Sequence, residues 1–328
     1  MSDNKPSANI SVRYIEVEDD QAGQRIDNFL LTALKGVPKS MIYRIIRKGE
    51  VRVNKKRIKP DGRIQGGDLV RIPPIRVSEP TDVPIVGKAL LELLDASILY
   101  ESKALIVLNK PSGLAVHGGS GINLGLIEAM RQLRPDERFL ELVHRLDRDT
   151  SGCIMIAKKR SMLRHLHEAL RQNRVNKIYH ALVVGKWESK NNLVDAPLRK
   201  NELQSGERVV KVQPDGKASI TRFKVLRRFT QTTLVEAKPV TGRTHQIRVH
   251  TQFAGHPIIG DDKYGVESIN KDMKKQGIRR LFLHSAMLQV ALPEGEMLNV
   301  KAPLEPSLDS ALERLAEQQN KAYKEESE

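Results

Sequence analysis

Prolines at positions 73, 74, 80 and 84 interrupt the chain early in its length. Proline fixes φ near −65° and carries no amide hydrogen, so a cluster at this spacing reads as an extended connector rather than as a helix or a central strand. A chain of 328 residues broken in this way is expected to fold as two units of unequal size. The expected division is a polar N-terminal segment at 1–20, a small domain at 21–77, a linker at 78–94, a larger domain at 95–307, and a C-terminal helix with a charged tail at 308–328.

The two parts differ in charge. Gly23 to Arg76 holds 14 Lys or Arg against 4 Asp or Glu, a net +10 of the +15 carried by the whole chain. Concentrated positive charge of this kind suits a polyanionic partner. Ile26, Phe29, Leu30, Ala33 and Leu34 recur at helical spacing, and Pro38 and Ser40 open a second helix that carries Ile42, Ile45 and Ile46 and ends at Gly49. Val51 and Val53 begin a short strand, and Gly66-Gly67-Asp68 turns into Leu69–Ile72. Arg44, Arg47 and Lys48 then fall on the polar side of the second helix, with Lys55, Lys56 and Arg57 following at once, which gives one basic face. Aromatic residues make up only 4% of the chain, which argues against a recognition surface built mainly on base stacking. No apolar run approaches the roughly 20 residues of a membrane-spanning helix. Cys153 is the single cysteine, so neither an internal disulfide nor a thiolate metal cluster is expected. With a polar N-terminus added, the expected location is cytoplasmic.

Beyond the prolines lie three polar islands set between apolar segments. Leu105–Leu108 reads as a buried strand and runs into "NKPSGLAVHGGSG", a loop rich in turn residues that lacks the lysine-serine ending of a phosphate-binding loop. "LVHRLDRDTSGCIMIAKK" packs His144, Arg145, Asp147, Arg148, Asp149, Thr150 and Ser151 between two apolar stretches. Such an island is either a surface loop laced by ion pairs or a scaffolded set of reactive groups. Further on, Ile178 to Val184 alternates as a strand that puts Lys177 and Tyr179 on one face. In "PVTGRTHQIRVHTQFAGHPIIGD", Thr244 is expected to cap a short helix closed by Gly255, with Thr244 and Arg248 on a shared face. The histidines at 245, 250 and 256 do not follow the His-Glu-x-x-His spacing, so no metal site is expected there. His284, within an apolar strand, is expected to be a satisfied core histidine.

The basic stretch "RIDNFL…VPKSMIYRIIRKGEVRVNKKRIKPDGRIQGGDLVRI" resembles the S-four-like RNA-binding domain. "NKPSGLAVH", "HRLDRDTSG", "KIYHALVVG", "GRTHQIRVH" and "LFLHSAML", in that order, resemble the pseudouridine synthases of the RluA family. The resemblance implies an α+β fold: a synthase core with a mainly antiparallel mixed sheet and a central cleft, preceded by the small RNA-binding domain. It implies an isomerase that flips selected uridines out of RNA and rejoins each uracil through a ring carbon, with no cofactor and no metal. Large-subunit ribosomal RNA is the implied partner; no membrane and no obligatory protein partner are implied, and the protein is expected to be a monomer. By motif position, the resemblance assigns Asp147 as the catalytic aspartate, Tyr179 as the active-site tyrosine and Arg248 as the arginine that pairs with the aspartate. Arg145 takes the place of the displaced base, while Arg44, Arg47, Lys48, Lys55, Lys56 and Arg57 grip RNA phosphates. His144, Arg148 and Asp149 are expected to be scaffold or RNA-contacting groups.

Two other classes compete with this reading. One is a non-catalytic RNA-binding assembly factor; an intact Asp147, Tyr179 and Arg248 set speaks against it. The other is a metal-dependent nuclease using Asp147, Asp149 and nearby histidines, which full activity in excess chelator would exclude.

Overall fold

The computed structural model describes residues 11–34, 36–75, 85–118, 124–188, 190, 192–202 and 208–325. The chain divides into two compact units, Met1–Ile85 and Val86–Glu328. Of the expected segments, residues 1–10, the stretch of linker at 78–84 and the tail end at 326–328 lie outside the described residues.

In the first unit, β1 (Arg13–Glu16) precedes α1 (Ile26–Ala33) and α2 (Lys39–Arg47), and then come β2 (Arg52–Val53), β3 (Lys56–Arg57) and β4 (Leu69–Ile72). The four strands form one antiparallel sheet in the order β1-β4-β2-β3. Ile26, Phe29 and Leu30 of α1 and Ile42, Ile45 and Ile46 of α2 meet Val51, Val70 and Ile72 in a closed core. Asp27 is buried on α1 and ties the helices together: it accepts hydrogen bonds from Arg25 at 2.6 and 3.1 Å, from the Tyr43 hydroxyl of α2 at 2.7 Å and from the Asn28 amide at 2.8 Å. Burial opposes its charge, but these donors outweigh that cost and hold the carboxyl below its usual range. The expected N-terminal boundary moves. Residues 13–16 pair with β4 and Val17 is buried in the same core, so the sheet begins inside the segment read as a polar lead. A four-residue strand with one half-buried side chain leaves little apolar alternation to read.

The second unit opens on α3 (Lys88–Ala96), followed by β5 (Ile98–Glu101), β6 (Leu105–Lys110), α4 (Leu126–Leu133), β7 (Glu141–Leu142), β8 (Ser151–Ala157), α5 (Arg160–Arg171) and β9 (Asn176–Val184). Next come β10 (Leu193–Asp195), β11 (Leu198–Glu202), β12 (Arg208–Val212), β13 (Ile220–Arg228), β14 (Thr232–Pro239), α6 (Gln246–Phe253), α7 (Glu267–Lys275), β15 (Leu283–Ala291), β16 (Met297–Lys301) and α8 (Pro306–Glu325). The expected linker at 78–94 therefore ends earlier than the sequence suggested. Leu90, Leu91 and Leu94 form an apolar stripe on α3, and Leu94 is fully buried in the core of this unit. The C-terminal helix likewise belongs to the same body, because Leu308, Ala311, Leu315 and Ala316 pack into that core.

The main sheet runs β10-β13-β14-β9-β15-β8-β6-β5, with β16 beside β15 and β7 beside β8. Among the described residues it is antiparallel except where β8 and β15 run parallel, so it is the mixed, mainly antiparallel sheet of an α+β fold. All seven residues of β8 are buried, and their alternation serves two faces. Ile154 and Ile156 join the core beneath α3, α4 and α8, while Cys153, Met155 and Ala157 join the core beneath α5. Gly152 permits the parallel pairing: a Cβ there would stand 2.3 Å from the Ser285 carbonyl oxygen, and its φ is +106°. The loop from His144 to Thr150 is thus strung between β7 and a strand anchored on both faces.

Candidate active site

A cavity of about 870 Å³ opens beside that loop. Asp147, Tyr179, Arg248, His245 and Lys177 line it, and Arg145 stands exposed at its edge. The expected constellation is therefore assembled from three elements: the loop before β8, the strand β9 and the helix α6.

The Asp147 loop is held through its backbone. The buried ammonium of Lys110, at the end of β6, donates to the carbonyls of Pro111 and Leu114 at 2.8 Å and to that of Arg148 at 2.9 Å. Ser112 Oγ donates to the Asp149 carbonyl at 2.8 Å, and the Gly113 amide donates to the Arg148 carbonyl at 2.9 Å. The turn-rich "NKPSG" segment is thus a clamp on the residues that follow Asp147. His144 also lines the cavity; its Nε2 accepts the Met155 amide hydrogen at 3.2 Å, and burial pushes its pKa down to about 3. Its ring is therefore neutral at neutral pH. His284 is the satisfied core histidine its sequence context suggested, with Nδ1 2.9 Å from Ser151 Oγ and Nε2 3.2 Å from the Ala302 carbonyl.

Tyr179 projects from β9 as a buried ring. Burial, reinforced by the charge of Asp147, pushes its hydroxyl up to about 12, so it stays protonated at neutral pH. Lys177, two residues earlier, lines the same cavity as strand alternation requires.

Arg248 makes the expected contact with Asp147 and a second, closer one. Its Nε and Nη2 donate to the two oxygens of Asp261 at 2.7 and 2.8 Å, whereas Nη1 reaches Asp147 Oδ2 at only 3.4 Å. Asp261, placed after α6, is nearly inaccessible, and its Oδ1 also accepts the amides of Lys263 and Tyr264 at 2.9 Å. Burial disfavours the Asp261 charge, yet the Arg248 contact and those amides hold its carboxyl below the usual range. Desolvation would weaken the proton affinity of Arg248, but the carboxylates more than reverse it and the guanidinium stays charged. The Tyr264 ring lies under that guanidinium at 5.0 Å. Sequence reasoning singled out neither Asp261 nor Tyr264; the one available signal was that Asp261 closes the polar island of Arg248, with Tyr264 three residues on.

The start of α6 also departs from the expected cap. Gln246 is the first helical residue, and its N-cap is His245, in the left-handed region at φ 53° and ψ 20°. Thr244 lies outside the helix, and the Gln246 side chain closes the turn by accepting from Thr241 Oγ1 at 2.7 Å and from the Arg243 amide at 3.0 Å. Gly255 does end the helix, with φ +86°.

In the first unit, Arg44, Arg47 and Lys48 are exposed at the C-terminal end of α2, and Lys55, Lys56 and Arg57 are exposed on the β2–β3 hairpin. Asn54 and Lys55 form its turn with φ of 49° and 68°, the signature of a two-residue hairpin loop.

Two regions match known families. Residues 104–253 match the RNA pseudouridylate synthase family, and residues 24–70 match the S4 domain. The chain is 58% identical to the ribosomal large subunit pseudouridine synthase C of Pasteurella multocida over 95% of this chain and 96% of that protein. This chain belongs to the RNA pseudouridylate synthase family. The synthase of the same name from Escherichia coli K12 is 57% identical over 93% of this chain and 97% of its own length. Among solved structures, the human RNA pseudouridylate synthase domain containing 4 superposes with a TM-score of 0.59 at 29% identity, covering 70% of this chain and 96% of that one. The synthase family match spans the loop of Asp147, the strand of Tyr179 and the helix of Arg248, and the S4 match spans the basic helix and hairpin. Among the described residues, no helix is long and apolar enough to cross a membrane.

Proposed function

We propose that this synthase converts uridines of large-subunit ribosomal RNA to pseudouridine, with Asp147 as the catalytic carboxylate. The observation that carries the reading is Asp147 itself: a partly exposed carboxylate on a clamped loop, facing a cavity of about 870 Å³ with a buried arginine 3.4 Å away. The isomerisation breaks the bond from uracil N1 to the ribose, forms one from uracil C5 and moves protons between ring positions, so it needs no outside oxidant or reductant. Asp147 serves as nucleophile or base. Arg248, fixed by Asp261, sets a positive charge beside that carboxylate. Tyr179 packs against the extruded ring and offers a hydroxyl proton.

A uridine within folded RNA must first leave its stack, at a cost of roughly a few kcal/mol. Arg145 suits the vacated position, because its exposed guanidinium makes no ion pair among the described residues and can both stack and hydrogen-bond. Arg145 and Arg243 also border a second cavity of about 600 Å³, with Lys200, Lys217 and an Arg199 paired to Asp215 on its wall. That basic wall favours a phosphate backbone leading into the site. The basic face of the S4 domain adds affinity through phosphates, which position the RNA rather than specify it. We read the protein as a cytoplasmic monomer that works without a cofactor or an obligatory protein partner.

Pseudouridine mapping of unmodified large-subunit RNA, treated in chelator with wild type or with Asp147→Asn, tests the proposal. Defined sites are expected with wild type alone. Equal modification by both proteins would remove Asp147 from the mechanism, and no modification by either would return the chain to the class of RNA-binding assembly factors.

A further inference from the structure

Among the described residues lining the cavity, His245 combines a left-handed backbone, a defined hydrogen-bond partner and proximity to Asp147. Its Nδ1 lies 2.7 Å from the Tyr264 hydroxyl, and its Nε2 lies 3.9 Å from Asp147 Oδ1. The Tyr264 hydroxyl already accepts the Val210 amide hydrogen at 3.0 Å. With one lone pair of the hydroxyl taken, its own hydrogen is available to the other contact, His245 Nδ1. A ring that accepts at Nδ1 carries its proton at Nε2, the nitrogen turned toward Asp147.

We infer that His245 is a positioning residue for the reaction: Tyr264 fixes its tautomer, and its Nε2–H steers the Asp147 carboxylate through Oδ1, the oxygen that Arg248 Nη1 leaves free. The inference deepens the assignment of Asp147 made above and rests on it. The backbone supports it. Histidine in the left-handed region is uncommon, and the conformation is kept where surrounding contacts over-determine it. Here it swings the ring back from the start of α6 toward Tyr264, which it meets edge-on at a centroid distance of 5.5 Å. Burial lowers the pKa of His245, which keeps the ring in the neutral form that this arrangement uses. The 3.9 Å separation is longer than a hydrogen bond in the free protein, and contacts of this kind close when substrate fills the site. Tyr264 also packs under Arg248, so one buried ring orients both groups that flank the carboxylate.

The test uses the full chain with large-subunit RNA, comparing His245→Gly, Tyr264→Phe, the double variant and Asp147→Asn. Glycine adopts the left-handed backbone without strain, so it removes the ring and keeps the turn. His245→Gly is expected to lower kcat by about 100-fold, as removal of one oriented donor does, with KM within about twofold of wild type. Tyr264→Phe is expected to lower kcat as well, and the double variant to fall no further than His245→Gly alone. A His245→Gly protein with wild-type kcat, a loss confined to KM, or additive effects of the two substitutions would each overturn the inference. An active Asp147→Asn protein would instead overturn the assignment on which it rests.

Discussion

Asp261 grips Arg248 at two points, 2.7 and 2.8 Å, in a buried pair beside the carboxylate assigned to catalysis. Arg248 can thus approach Asp147 without being neutralised by it. Asp261→Asn leaves the guanidinium buried with one weak partner. Breaking such a pair by removing one member costs about 3–5 kcal/mol. The expected outcome is a large loss of urea stability together with a fall in kcat, read by denaturant titration and by single-turnover pseudouridine formation.

Lys110 is expected to hold Asp147's loop in place. Lys110→Met keeps most of the apolar stem but leaves the carbonyls of Pro111 and Leu114 without the ammonium and that of Arg148 with the Gly113 amide alone. Buried acceptors left unsatisfied cost about 1–3 kcal/mol. Thermal melting should show that decrease, and amide hydrogen exchange should quicken across residues 147–150. Unchanged exchange in that stretch would remove Lys110 from the clamp.

Acid should loosen the core at His284. Burial pushes its pKa from 6.5 down to about 4, so the folded protein favours the neutral ring. A lowered folded-state pKa supplies stability that is complete above pH 6.5 and disappears as pH falls toward 4, in total about 3 kcal/mol. Urea midpoints measured from pH 7.5 to pH 4 should therefore fall for wild type. They should fall less steeply for His284→Gln, which starts from lower stability because it gives up the paired hydrogen bonds to Ser151 and Ala302.

The S4 domain should contribute affinity rather than chemistry. Replacing Arg44, Arg47 and Lys48 together by glutamine removes three exposed cations from one end of α2. RNA affinity should weaken and the slope of its logarithm against that of salt should flatten, by about 0.7–0.9 for each phosphate that is no longer neutralised. Saturating single-turnover rates should hold. A filter-binding salt series beside a rate measurement separates the two effects.

What could be read from the sequence was local. The Asp147 island, the alternation that sets Lys177 beside Tyr179 and the helical face of Arg248 each lie within a short window, where spacing carries the information. The basic helix and hairpin were legible for the same reason. Partnerships were not. Asp261 lies 13 residues beyond Arg248 across a helix end, and nothing in the residue types says that it outcompetes Asp147 for the guanidinium. His245 read only as one of three histidines without metal-ligand spacing, because a left-handed histidine leaves no periodic trace. The helix α3 was hidden by the prolines before it, although Leu90, Leu91 and Leu94 already stood at helical spacing.

The clamp of Lys110, Ser112 and Gly113 on the backbone after Asp147 has a consequence for the RNA. The loop that carries the carboxylate is ordered when the protein folds, so its entropy is given up once and not again at each encounter. A substrate that docks on a preformed site does not have to organise it. More of the free energy of RNA binding is then left to draw one base out of its stack and hold it there.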